Sequence, residues 1–238
     1  MQAELPILDR MQALVEQWKA DSDQRFIFLS CYQMMTANML AAIQEDEFAD
    51  CAWVDHLLKR FGEYYFTALE AYERHPEAAP RAWQVAFEAA RSPDSAALQK
   101  LLLGVNAHIN YDLVLTLAEL MEPEWEGPAA AESRGRHTDF CQVNDIIAAT
   151  IDAVQDTVLE PASPVMDIID RLFGPVDELL ISRMITDWRD EVWQNASQLL
   201  AAQDAEQRRQ LVQQVEAHAL RRAAAISLSD LSALDELV

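Results

Sequence analysis

The chain has 238 residues, of which 51% are hydrophobic, and it carries 18 basic against 40 acidic residues for a formal net charge of -22. That length suits one large domain or two small ones, and that apolar share argues against wholesale disorder. The acidity argues against nucleic acid and anionic membrane surfaces as partners, because both are held by clustered Lys and Arg.

Glycine is scarce, with 5 in all, and good helix formers dominate, so the composition favours helices. Cys31, Cys51 and Cys141 are far apart and form no Cys-x-x-Cys pair, which removes zinc-ribbon and thioredoxin-type chemistry. Reduced thiols in a cytoplasmic protein are the simplest reading. Met1 to Leu8 has no basic run before an apolar one, so no signal peptide is read. Every long apolar stretch carries polar or charged residues, so no membrane span of about 18 residues is read.

In chain order, Leu5 to Ala20 reads as a first helix, with Pro6 in the turn that tolerates it. Asp21-Ser-Asp is a break. A second helix, Gln24 to Gln44, ends at the acidic turn Glu45-Asp-Glu. A third, Cys51 to Arg74, carries Trp53, Leu57, Phe61, Tyr65 and Tyr72 as its core stripe, with His56, Arg60 and Glu63 on its flank. Pro80 opens a fourth helix, Arg81 to Arg91, with Trp83 and Phe87 inward. Ser92-Pro-Asp-Ser is a stop and restart signal.

Ser95 to Met121 reads as one helix. Leu98, Leu101, Leu102, Val105, Ile109, Leu113 and Leu117 recur at the spacing of a core face. Asn106, His108, Asn110 and Asp112 interrupt it. His108 and Asp112 fall one turn apart on one edge of the stripe, and Asn106 and Asn110 form a second such pair on the other side. Polar groups on so apolar a helix must find partners or remain costly.

Glu122 to Gly135 is the one long irregular stretch and is expected to be mobile and to border a cavity mouth. A sixth helix, Thr138 to Leu159, places Asn144 among apolar residues. Pro161 to Pro164 ends it. A short helix follows over Val165 to Phe173, closed by Gly174-Pro175, then a long one from Val176 to Ala202 with Met184, Trp188 and Val192 inward. Arg183, Asp187 and Asp190 lie on its edge, with Arg183 and Asp187 spaced as an ion pair. Gln203 to Ala225 is a peripheral helix, and 226–238 an acidic tail. The pattern predicts an all-α fold: a single domain over residues 1–225, a bundle of about eight or nine helices.

Three readings of the polar helix compete. In the first, His108 and Asp112 bind a divalent metal (Zn, Fe or Mn), since a helix presents both to one point; His137 and Asp139, or His56 or Glu63, would complete the set. In the second, His108 is a general acid/base whose tautomer Asp112 fixes. Asn144 would act beside them, Asn106 and Asn110 would bind a polar small molecule, and Arg183 or Arg60 would neutralise an anionic group on it. In the third, the cluster ties helices together and the protein binds a molecule without catalysis or serves as a scaffold. Nucleophilic and phosphate-cradling chemistry lacks support, because there is no Gly-x-Ser-x-Gly and no Gly-x-Gly. The oligomeric state is left open.

The run Leu101-Leu-Leu-Gly-Val-Asn-Ala-His-Ile-Asn-Tyr-Asp-Leu113 resembles a motif of a bacterial all-helical domain-of-unknown-function family. Pro80-Arg-Ala-Trp-Gln-Val-Ala-Phe-Glu-Ala-Ala90 is similar to its upstream segment, and Asp139-Phe-Cys-Gln-Val-Asn144 to its downstream element. The resemblance spans Trp53 to Trp193. It implies Asn106, His108, Asn110, Asp112, Asp139 and Asn144 as the motif positions and implies no activity.

Overall fold

The computed structural model describes residues 6–156 and 177–228. Among them are nine helices and no strand. They are α1 (Ile7–Ala20), α2 (Phe26–Gln44), α3 (Cys51–Arg74), α4 (Arg81–Arg91), α5 (97–121), α6 (Pro128–Ser133), α7 (Arg136–Asp156), α8 (Asp177–Leu200) and α9 (Ala205–Leu228). The expected Pro161 stop, the Val165 to Phe173 helix, Gly174-Pro175 and the tail beyond Leu228 lie outside the described residues. The last helix continues through Leu228, three residues past its expected end at Ala225.

Local chemistry sets the boundaries. α1 and α2 both end with the chain turning through a left-handed residue, Ser22 (φ 57) and Asp46 (φ 56). In each turn the next amide reaches back to the helix: Asp23 N–H donates to Trp18 O at 2.8 Å, and Glu47 N–H to Ala42 O at 3.1 Å. These are Schellman closures, which satisfy the last carbonyls. Asp50 caps α3 by accepting from Trp53 N–H at 2.9 Å.

α5 is the axis of the bundle, packing against α2, α3, α4, α8 and α9. It is α-helical over Ala97–Ala107, π-helical over His108–Leu113 and α-helical again over Val114–Met121. The π turn lies under the polar motif, as π turns in α-helices often lie at functional sites. Where it ends, Thr116 Oγ donates to Asp112 O at 2.8 Å. Two apolar clusters share the helix. One joins α1, α2, α4, the later part of α3 and the first half of α5, and the other joins the early part of α3, α7, α8 and its second half.

The Glu122 to Gly135 stretch contains a short 3-10 turn (Glu122–Glu124) and helix α6, and Arg134 and Arg136 are bonded to Glu126 and Glu124 across it. Two stretches, Phe26–Gln44 and Ala97–Glu124, are long and apolar enough to cross a membrane by length and composition. Both differ from the sequence expectation because one polar residue interrupts an apolar run while lowering the average over 18 residues only slightly. The second is 78% buried inside the fold, as the central helix of a helical protein is.

Candidate functional site

The π turn gives His108 and Asp112 a common face. His108 Nδ1 lies 3.2 Å from Asp112 Oδ2, and the same oxygen accepts from Trp83 Nε1–H at 2.8 Å. Asp112 is fully buried and His108 is 4% exposed. The imidazole is stacked on Phe61, with ring centroids 3.5 Å apart and planes 6° from parallel, and meets Tyr32 edge-on at 4.3 Å. Phe28 closes on it from α2, and Gly104 allows this: a Cβ there would stand 2.6 Å from the Phe28 ring.

Burial disfavours charge on both partners. It holds the His108 imidazole well below the ordinary histidine range. It raises the Asp112 carboxyl well above the carboxylate range, against the pull of the Trp83 N–H. Both shifts favour the uncharged forms, and an uncharged pair would have Asp112 donating to Nδ1 with the imidazole proton on Nε2. Nε2 has no partner among the described residues, and neither do Asp112 Oδ1 and the Tyr32 hydroxyl.

His108 forms part of the wall of a cavity of about 190 Å³ between α2, α3, α5, α7 and α8. Met35, Leu57, Phe61, Ile109 and Ile147 supply its apolar surface. An engineered apolar cavity of roughly 150 Å³ holds benzene, so this one suits a molecule of on the order of ten non-hydrogen atoms. No residue of the Glu122 to Gly135 stretch lines it, contrary to the sequence expectation.

The other expected site residues fall into separate groups. Asn106 donates to Ala219 O at 2.9 Å and accepts from Asn110 at 3.0 Å. Asn110 Oδ1 accepts from Arg222 at 2.7 Å, and Arg222 also binds Glu191 at 2.7 Å. This second face of α5 is turned to α8 and α9, and neither Asn lines the cavity. Arg60 is held outside by Glu119 at 3.0 Å and Glu63 at 2.7 Å. Arg183 and Asp187 are both exposed and form no ion pair with each other. Asn144 does not line the cavity itself but accepts from Arg189 Nε at 2.6 Å.

The expected metal quartet is not gathered. Asp139 is fully buried, and its carboxylate accepts from the backbone amides of Ala49 at 2.7 Å and Asp50 at 2.9 Å, which fixes the start of α3. His137 packs edge-on against Trp193 at 4.7 Å and approaches Cys141. His56 and Glu63 are exposed. Among the described residues, no three His, Cys, Asp or Glu side chains converge where an ion could sit.

Two residues of the site went unnoticed in the sequence. Trp83 reads as core, and its role as donor to Asp112 depends on how α4 crosses α5. Arg189 sits at helical spacing from Ile185, Val192 and Ala196, the inward face of α8, and that periodicity was a usable signal.

A family model described as a family of unknown function, DUF5995, matches residues 6–228. No curated protein and no solved structure matches the chain.

Proposed function

The chain belongs to the DUF5995 family of unknown function, and from its site we propose that it is an enzyme acting on a small, largely apolar molecule, with the His108–Asp112 pair as acid–base group. The observation that carries this is His108 Nε2, a buried ring nitrogen without a partner among the described residues, on a residue that lines a ligand-sized cavity. An imidazole whose other nitrogen is fixed by a carboxyl is arranged to exchange a proton with a bound molecule. Trp83 holds the carboxyl, and Phe61 and Tyr32 hold the ring. In this reading Nε2–H protonates or hydrogen-bonds a polar atom of the substrate, and the proton on Asp112 compensates at Nδ1.

A second reading, binding without turnover, is favoured by one observation. The cavity wall is almost wholly apolar. The test is a turnover screen by mass spectrometry with small apolar esters, ketones and alcohols, run on wild type and His108→Asn. Turnover present in the first and lost in the second, with the fold intact, supports the enzyme. Compounds that bind the cavity but are never converted support the carrier.

A further inference from the structure

Arg189 is a buried charge that the acid–base pair does not use. Its residue is 4% exposed and it lines the same cavity as His108. Nε donates to Asn144 Oδ1 at 2.6 Å and Nη2 to Phe140 O at 2.6 Å, while the guanidinium lies over the Phe140 ring, 4.1 Å from its centroid. Each of these partners is neutral. No carboxylate among the described residues stands within ion-pair distance, and Nη1 has no protein partner there. A guanidinium taken out of water without a counter-charge is costly. Burial accordingly pushes the Arg189 pKa down to about 10, although Cys141 and Asp190 favour its charged form from a distance.

We propose that the cavity binds a small amphiphilic carboxylate, with the carboxylate on Arg189 and the apolar body along Ile147, Met35 and Leu57 toward His108. The inference rests on the reading of this cavity as a ligand site and names the class of ligand. One buried cation balances one negative charge, which selects a monoanion over a phosphate-like dianion in so apolar a setting. The two N–H groups of Nη1 can bind a carboxylate while the neutral partners on Nε and Nη2 keep the guanidinium plane fixed. The volume suits an aromatic ring with a short acid side chain, or a short fatty acid.

The test uses the full chain labelled with ¹³C at its methionine methyls, because Met34, Met35 and Met39 line the cavity. Phenylacetate is compared with phenylacetamide, and hexanoate with hexanamide, at neutral pH. The expected result is that each acid shifts the methyl signals at roughly tenfold lower concentration than its amide, a charge-assisted preference. The preference should survive in Arg189→Lys and vanish in Arg189→Gln. Equal binding of acid and amide leaves the ligand site standing and overturns the carboxylate inference. A preference that persists in Arg189→Gln overturns the assignment to Arg189. No shift with any of the four compounds overturns the ligand site and this inference together. The wild-type comparison decides between the ligand classes even if both variants fail to fold.

Discussion

Trp83 Nε1–H donates to Asp112 Oδ2 at 2.8 Å, and the oxygen that accepts it is the one that faces His108 Nδ1. The indole on α4 is thus part of the acid–base pair on α5, and the bond is buried at both ends. Trp83→Phe keeps an aromatic ring there and removes the donor. It should lower stability in urea by about 1–3 kcal/mol, the usual result of orphaning a buried polar group. In a double-mutant cycle with Asp112→Ala, a coupling above roughly 0.5 kcal/mol is expected. Additive losses would mean the bond carries no energy of its own.

The Asp112 carboxyl is raised by burial, so it gives a signed pH dependence. Its unfolded value is about 3.9. Above that the unfolded chain releases the proton while the folded chain keeps it, and stability falls as pH rises through the folded value. Asp112→Asn removes this slope. The variant should gain on wild type steadily from about pH 4 upward. Chemical denaturation across that range checks it, and a difference that does not change with pH would show an ordinary carboxylate.

His108 is shifted in the opposite sense for a base, downward by burial. Its unfolded value is about 6.5, and below it the unfolded chain gains a proton that the folded imidazole refuses. Wild type should therefore lose stability as pH falls below about 6.5 by more than His108→Gln does. Imidazole ¹⁵N spectra should show a neutral ring with its proton on Nε2 at neutral pH; a charged ring would contradict the assignment.

Gly104 lets α5 approach Phe28, where a Cβ would sit 2.6 Å from ring carbons. Gly104→Ala forces the ring off its place beside His108 and should cost about 1–3 kcal/mol, typical of overpacking. Phe28→Leu in the same chain should recover part of the loss in thermal denaturation. A neutral Gly104→Ala would mean that the two helices can separate freely.

Asp139 accepts two backbone amides at the start of α3, so its role is structural. Asp139→Ala should cost about 1–3 kcal/mol by leaving those amides unsatisfied. Protein purified without chelator and assayed for Zn, Fe and Mn should have the same metal content before and after this change and His137→Ala. Metal that is lost with either variant would restore the quartet read from the sequence.

Periodicity made the all-helical fold legible, along with its boundaries at Pro6, Cys51 and Pro80, because apolar spacing and turn chemistry are local properties. It also marked His108 and Asp112 as a pair, since four residues on a helix is a fixed distance, and the family resemblance agrees with the family match. The same spacing put Asn106 and Asn110 on the other side of the stripe, but it could not show which helices the two sides meet. The π turn over His108–Leu113 resets the angular register, and it depends on what packs around it. Nor could spacing tell that Asp139 caps a helix 89 residues away, or that Arg189 and not Arg183 enters the cavity. Those outcomes depend on how separate helices cross, and only the assembled core decides which side chains share a space without water.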